Sequence, residues 1–455
     1  MTRRLVVVGG VAAGMSAASR ARRLDPDLEV LVFEAGPHVA YGACGLPYFL
    51  AGMVSQPEDL LAYPLDSFRR ERNIHVYPRH RVLSLDLEHK LVRVRAGSTD
   101  FSIPFGRLVL STGAEPLRPD LPGADLAGVF TLRTLADGVA IRDYVRAQEP
   151  RRAVIVGAGY VGLEMAEAFS RLGMTVTLLE KAGQVLPGWD AHLAGELAKA
   201  ARAAGVDVRT GAPLQAMEGT TRVRSVTFGG GSAPADLVLL ALGVRPAAGL
   251  AAAAGLRLGA AGAIEVDLHQ QTSHPDVFAA GDCAQTRHLV TGSPAYIPLG
   301  TTANKQGRVA GANAAGGNEE FPGVVGTRVV AIFGLEAART GLTEAEAAAA
   351  GMDPVTAEVE QTATAGFYPG PGPVRVHLAV DRRSRRVVGA QMLGAGGVSG
   401  RINTIAAALQ GHWTIDELSS LDLGYAPPVA PVWDPILIAA RAAERVLEGE
   451  NRADQ

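Results

Sequence analysis

Arg4-Leu-Val-Val-Val8 runs into Gly9-Gly-Val-Ala-Ala-Gly14, and the chain continues to Glu29-Val-Leu-Val-Phe-Glu34. An apolar strand, a glycine turn, a helix to about Leu24 and a second strand ending on an acid make a βαβ unit of the dinucleotide-binding kind. The device returns as Ala153-Val-Ile-Val156, Gly157-Ala-Gly-Tyr-Val-Gly162, a helix to about Gly173 and Thr175-Val-Thr-Leu-Leu-Glu180. In such a turn the glycines let backbone approach a pyrophosphate, and the helix that follows points its unpaired N–H groups at that charge. An acid further on holds a ribose hydroxyl. Glu34 and Glu180 lie 20 and 18 residues past Gly14 and Gly162. Packing a helix on a strand explains one such turn but not two with matching acids, so two dinucleotides are expected. Gly9, Gly10, Ala12, Gly14 and Glu34 would hold one, and Gly157, Gly159, Gly162 and Glu180 the other. The first turn departs from G-x-G-x-x-G in placing Val11 where the second glycine belongs.

Each unit is followed by an apolar strand ending in Gly-x-x-Pro, Leu108-Val-Leu-Ser-Thr-Gly113-Ala-Glu-Pro116 and Leu237-Val-Leu-Leu-Ala-Leu-Gly243-Val-Arg-Pro246. These are expected to be the crossings between two nucleotide domains. Val277-Phe-Ala-Ala-Gly-Asp282 then returns to the first domain, which makes the second an insertion. Asp282, at the end of a late strand, can accept hydrogen bonds from a ribityl chain. That assigns FAD to the first domain and NAD(P)H to the insert. Glu180 would repel a 2′-phosphate and bind a 2′-hydroxyl, favouring NADH, while Lys181 beside it leaves NADPH open. From about Thr327 the pattern changes to alternating strands, such as Val374–Val380 and Val387–Leu393, and amphipathic helices, which predict an α+β third domain. The expected division is 1–115 with 244–326 for FAD, 116–243 for NAD(P)H and 327–455 for the C-terminal domain.

With 455 residues, 54 glycines and 47% apolar residues, the composition is that of a multidomain α/β enzyme. A formal net charge of -3 supplies no field to gather nucleic acid or an anionic membrane, so neither is expected as a partner. Met1-Thr-Arg-Arg before an apolar run copies a signal peptide superficially, yet a strand, loop and helix explain more of it. No unbroken apolar run reaches the roughly 18 residues of a membrane helix. Two cysteines, Cys44 and Cys283, are too few for a disulfide scaffold and fit a reducing compartment, so a cytoplasmic location is expected. The histidines show no metal-ligand spacing, and no metal is expected.

Cys44 sits in Tyr41-Gly-Ala-Cys44-Gly-Leu-Pro47-Tyr-Phe-Leu. Pro47 suits the first turn of a helix. The thiol is thus expected at a helix N-terminus, where the dipole and free N–H groups favour thiolate and raise nucleophilicity. Most buried cysteines are apolar filler, but the glycine-rich, proline-started setting beside a flavin turn favours catalysis. Cys283, directly after Asp282, is expected to pack.

Taken together, the glycine turn, Ala-Cys44-Gly-Leu-Pro-Tyr, Ser111-Thr-Gly, Ala-Gly-Asp282 and Asp422-Leu-Gly-Tyr425-Ala-Pro-Pro resemble the coenzyme A-disulfide reductases. These are single-cysteine members of the pyridine nucleotide-disulfide oxidoreductases, related to NADH oxidases and persulfide reductases. The resemblance covers essentially the whole chain. It implies a glutathione reductase-like α/β fold of two Rossmann-like domains with a C-terminal dimerisation domain. Dithiol relatives carry Cys-x4-Cys and a C-terminal His-Pro base; here Phe49 and Tyr425-Ala-Pro-Pro stand instead. The resemblance implies that the proton donors are Tyr425 and Tyr368 of a partner subunit, so the protein is expected to be a homodimer. It also implies FAD contacts at Val82, Ser111, Thr112, Gly113 and Ala303, and coenzyme A contacts at Ser16, Arg20, Arg23 and Arg72. Ala40 and Ala43 replace polar coenzyme A contacts of the family.

The expected activity is reduction of coenzyme A disulfide, or a related small disulfide or persulfide, by NADH or NADPH through FAD and Cys44. Neighbouring chemistries are an oxidase or peroxidase cycling a Cys44 sulfenic acid, and persulfide reduction. A flavoprotein that only switches binding to a partner would have no need of a thiol so placed. The chain ends about twenty residues after Trp433-Asp-Pro435, so no rhodanese-like extension is expected, which favours coenzyme A disulfide. A titration of the Cys44 alkylation rate should give a midpoint below the ordinary value of about 8.5; an ordinary midpoint would count against an activated thiol.

Overall fold

A computed structural model describes residues 3–449, in two compact units. One comprises the chain up to Pro150 with Leu237–Arg287 and Ser293–Gly323; the other comprises Arg151–Asp236, His288–Gly292 and the chain from Val324 onward.

The first unit is built on a parallel sheet in the order Val277–Ala279, Arg107–Leu110, Arg4–Val8, Glu29–Phe33, His75–Tyr77. Continuous burial along Leu5 to Val8 explains the unbroken apolar run, because a parallel strand is covered on both faces. The helix Ala12–Leu24 lies against the helix Gly300–Ala314 through small residues. A Cβ on Gly307 or Gly311 would stand 2.2 or 2.1 Å from the carbonyl oxygen of Ala13 or Ala17, so only glycine permits this approach. An antiparallel sheet of His80–Asp86, Leu91–Ala96 and Thr99–Pro104 contributes Val82, Val92 and Val94 to the apolar cluster that holds Val6, Val8, Phe33 and Cys283. The two Gly-x-x-Pro segments pair with each other, Val244 opposite Pro116 and Pro246 opposite Ala114. Val277–Ala279 joins the edge of the first sheet beside Arg107–Leu110, as the sequence pattern implies.

In the second unit Arg152–Val156, Thr175–Leu179 and Asp207–Arg209 form parallel ladders, with the helix Tyr160–Arg171 following the glycine turn. A separate antiparallel sheet runs in the order Arg328–Ile332, Leu335–Gly341, Val387–Gly394, Pro373–Asp381, Pro354–Thr362. The helices Val398–Gln410 and Pro435–Glu448 bury Ile402, Ile405, Ile436 and Ala439 in one cluster with Val374, Val376 and Met392 of this sheet. The α+β pattern expected from Thr327 is present. Among the described residues no helix is long and apolar enough to cross a membrane.

Glycine is required in the first turn for a steric reason. A Cβ on Gly14 would fall 1.9 Å from the Gly9 oxygen and 2.6 Å from Ser111 Oγ, whereas a Cβ on Gly159 would meet nothing within 4 Å. Gly14→Ala is therefore expected to lower unfolding stability by about 1–3 kcal/mol through overpacking. Gly159→Ala should leave the thermal midpoint unchanged and weaken only dinucleotide binding, read by calorimetric titration.

Candidate active site

The two acids at the strand ends brace their turns in the same way. Glu34 accepts hydrogen bonds from the amides of Gly10 at 2.7 Å and Gly36 at 2.6 Å. Glu180 accepts from Ala158 and Ala182, each at 2.8 Å, and is buried. Neither Val11 nor Gly159 caps the helix it precedes with a side chain, which leaves the first-turn amides for a ligand. Ser111 Oγ donates to the carbonyls of Val8 and Gly9, and Thr112 Oγ1 donates to Ala247. Gly113 stands at φ +73°, a conformation that favours glycine. Val82 is side-chain core beside a bulge in its ladder, and Ala303 packs close to Gly281.

Asp282 is not a lone acceptor. Arg133 Nη2 reaches its carboxylate at 2.7 Å, and Arg133 Nε also donates to the Ala114 carbonyl at 3.3 Å. Burial pushes the Asp282 carboxyl up, and the guanidinium opposes this. The Tyr296 hydroxyl is raised by burial and by the Asp282 charge. Its oxygen and Thr302 Oγ1 are buried with no protein hydrogen-bond partner. Such orphans fit a polar ligand, since a buried hydroxyl without a partner is costly. Glycine approach, the uncapped helix start at Val11 and orphan hydroxyls together fit a bound dinucleotide in this unit.

Cys44 is exposed, and Cys283 is fully buried with its thiol directed at the carbonyls of Ala280 and Leu110. Cys44 lies in a 3-10 turn, Ala43–Gly45, that leads into the helix Leu46–Leu50. Pro47 does fall in the first turn, as its sequence position implies, but the helix is only five residues long and its dipole is correspondingly small. The loop is tied to the glycine turn: Ala40 N donates to the Gly10 carbonyl at 2.8 Å, and Ala62 N to the Ala40 carbonyl at 2.7 Å. Gly42 N donates to the Leu60 carbonyl, and a Cβ on Gly45 would collide with Leu60 Cδ2 at 2.4 Å.

Of the four residues expected to meet coenzyme A, Ser16 donates to Asn304 Oδ1 at 2.8 Å and Arg20 is ion-paired with Glu319. Arg23 is exposed and donates to the Ser19 carbonyl. Arg72 lies 4.1 Å over the ring of Tyr63, on another helix, Leu65–Arg72. In the other unit Tyr368 and Tyr425 are 42% and 48% exposed, so both hydroxyl-bearing rings are open to a neighbour. Among the described residues one mixed group of acids and histidine converges: His377 Nδ1 lies 3.8 Å from Asp190 and 3.6 Å from Glu358, which also bonds His192 at 2.7 Å. The group lies where the start of the helix Ala191–Ala203 meets the strands Pro354–Thr362 and Pro373–Asp381.

A model of pyridine nucleotide-disulphide oxidoreductases matches residues 3–307, and a model of the dimerisation domain of that family matches residues 327–435. The chain belongs to this family. Family membership implies a flavoprotein that takes FAD and NAD(P)H. A "NAD(P)H coenzyme A polysulfide/persulfide reductase" of Pyrococcus horikoshii is 40% identical, with 97% of this chain and 98% of that protein covered. A "Coenzyme A disulfide reductase" of Staphylococcus aureus is 29% identical over 93% of this chain and 96% of its own length. The solved structure of a NAD-dependent persulfide reductase from A. fulgidus superposes with a TM-score of 0.95 at 37% identity, covering 98% of this chain and 84% of that one.

Several residues of this flavoprotein escaped the sequence pattern. Arg133 stands in Thr131-Leu-Arg-Thr134 without a motif to mark it, and Asn304 meets Ser16 only through tertiary packing. Glu164, on the helix after the second glycine turn, is pushed from the usual 4.5 to about 7 by burial, with the charge of Glu167 adding to the rise. A carboxyl raised in the folded state binds a proton that the unfolded chain has already released, so its penalty on stability is absent below about pH 4.5 and complete above about pH 7. Glu164→Gln is thus expected to stabilise the protein by about 1–3 kcal/mol at pH 8 and by nothing at pH 4.5. Denaturant midpoints of both proteins at the two pH values check this; equal differences at both would refute the raised carboxyl.

Proposed function

We propose that the chain is a homodimeric NAD(P)H oxidoreductase that reduces coenzyme A disulfide, or a coenzyme A-linked persulfide, through Cys44. The observation that carries this is the thiol itself: an exposed Cys44 on a loop hydrogen-bonded to the first glycine turn, in a chain whose second cysteine is buried elsewhere. The position that would hold a resolving thiol in a Cys-x4-Cys pair is Phe49, which is 1% exposed. The attacking sulfur must therefore pair with one from the substrate. Support for the acceptor comes from the names of the Pyrococcus and Staphylococcus relatives, both of which contain coenzyme A.

In this reading the residues Gly9, Gly10, Ala12, Gly14, Glu34, Val82, Ser111, Thr112, Gly113, Asp282 and Ala303 hold FAD, joined by Arg133. Gly157, Gly159, Gly162 and Glu180 hold the nicotinamide nucleotide, and the buried, backbone-held Glu180 carboxylate favours NADH. When bound, FAD supplies the relay of two electrons from NAD(P)H to sulfur. The Cys44 thiolate attacks one sulfur of the disulfide, forming a mixed disulfide and releasing the first thiolate. Two electrons then cleave the mixed disulfide, which regenerates the Cys44 thiolate and releases the second thiolate; each leaving thiolate takes one proton. The partner's Tyr368 and the partner's Tyr425 orient or protonate it. Ser16, Arg20, Arg23 and Arg72 face the coenzyme A phosphates, with Asn304 beside Ser16. A second copy is supported by the exposed apolar side chains on the C-terminal domain, Phe367 at 79%, Val429 at 68% and Val432 at 64%, since patches of this kind mark association surfaces.

Cys44→Ser is expected to keep its flavin and the rate of flavin reduction by NADH while losing turnover with coenzyme A disulfide. Surviving turnover would overturn the mechanism. Mass spectrometry of what denatured, oxidised protein carries on Cys44 separates the acceptors: a coenzyme A adduct supports this reading, an added sulfur atom the persulfide form, and an added oxygen replaces both with an oxidase.

A further inference from the structure

The loop that carries Tyr368 is anchored by a buried ion pair. Arg401, on the helix Val398–Gln410, and Asp434 have side chains only 7% and 9% exposed and meet at 2.9 Å. The guanidinium spends its other donors on main chain: Nη2 reaches the Ala363 carbonyl at 3.0 Å and Nη1 the Gly397 carbonyl at 2.9 Å. Asp434 in turn caps the helix Pro435–Glu448 by accepting from Ile436 N at 3.0 Å. One cation thus joins the stretch before Tyr368 to the stretch after Tyr425. Two further contacts close the arrangement. Ala365 N donates to the Pro427 carbonyl at 3.1 Å, and Tyr368 N donates to the Ala365 carbonyl at 2.8 Å.

A buried pair of this kind is a poor source of stability, because apolar residues of the same volume would avoid its desolvation cost. What it does give is direction. A guanidinium fork with both ends satisfied allows one placement of the carbonyls it holds, and Lys, a point charge, cannot reproduce the fork. The glycine at 397 belongs to the device, since it stands at φ +75° and a Cβ there would lie 2.5 Å from Arg401 Nη1.

We propose that Arg401 is a positioning residue which, through Asp434 and the Ala363 carbonyl, sets where Tyr368 and Tyr425 stand and hence how the leaving thiolate is handled. The inference rests on the reading that both tyrosines serve the partner's thiol.

Its test uses the FAD-loaded dimer. Arg401→Lys should retain flavin, dimer and NADH-driven ferricyanide reduction, which needs no tyrosine, while kcat with coenzyme A disulfide falls about 10- to 100-fold, the scale on which misplacing a reacting group is felt. In a Tyr368→Phe, Tyr425→Phe background the same change should cost almost nothing further, because the effects are coupled. Additive losses, or an unchanged kcat, would overturn the proposal. If the double tyrosine variant itself turns over normally, the tyrosine reading fails instead. Should Arg401→Lys lose flavin or dimer, Gly370→Ala moves the same loop from its other end, since its Cβ would meet Thr364 Oγ1 at 2.1 Å. A selective fall in disulfide turnover then supports the positioning role, and normal turnover refutes it.

Discussion

Backbone held by a carboxylate is the constraint on which both nucleotide turns depend. A turn that must bring its amides to a pyrophosphate cannot satisfy all of them internally, and Glu34 and Glu180 each take two: Gly10 and Gly36 in one case, Ala158 and Ala182 in the other. Hydrogen bonds to a charged group are worth about 1.5–3 kcal/mol each, enough to fix a turn otherwise rich in glycine. The acid therefore holds the loop from the strand end, and the helix start that follows carries no side-chain cap. The thiol loop is referred to the same turn, because Ala40 hangs from the Gly10 carbonyl and carries Ala62 on its own. A shift of the first glycine turn would reach the stretch that carries Cys44 through the hydrogen bond at Ala40.

The architecture was legible where local sequence obeys a local rule. Strand, glycine turn, helix and acid follow one another within about thirty residues in each βαβ unit, and Val277–Ala279 declared itself by an apolar run ending in Gly-Asp. What stayed hidden is non-local. Arg133 meets Asp282 across 149 residues, Ser16 meets Asn304 across 288, and Arg20 meets Glu319 across 299. No spacing predicts such pairs. The thiol setting was half legible: Pro47 marked a helix start, but nothing nearby marks its end after five residues.

The basic residues show why counting charge is a weak guide to anion binding. Arg20 and Arg23 share a helix face in sequence, yet Arg20 is neutralised by Glu319, which also has Arg308 within 3.6 Å. A phosphate arriving here would have to displace or share a carboxylate. The Arg72 guanidinium lies over the ring of Tyr63. An arginine over a ring presents a pre-organised planar fork of donors, which is how it differs from a mobile lysine. Ser16 and Asn304, a neutral pair on the two closely packed helices, offer hydrogen bonds without charge.

Phe49 determines what kind of chemistry one sulfur can do. Its ring is buried against Arg142, whose guanidinium lies 4.1 Å above it, and the same short helix packs Leu46 where a Cβ on Gly138 would come within 2.9 Å. The segment is closed: a cysteine at 49 would leave a cavity and a stranded guanidinium before it made a useful second thiol. With phenylalanine at 49, any oxidised form of Cys44 is a bond to something small that diffuses in, whether thiol, sulfur or oxygen. Selectivity in an enzyme of that kind resides in the surface around the thiol. A dithiol enzyme holds its oxidising equivalent as a disulfide within its own chain. A single-thiol enzyme holds it in a bond between its own sulfur and half of its substrate, so the substrate must be recognised before the sulfur reacts.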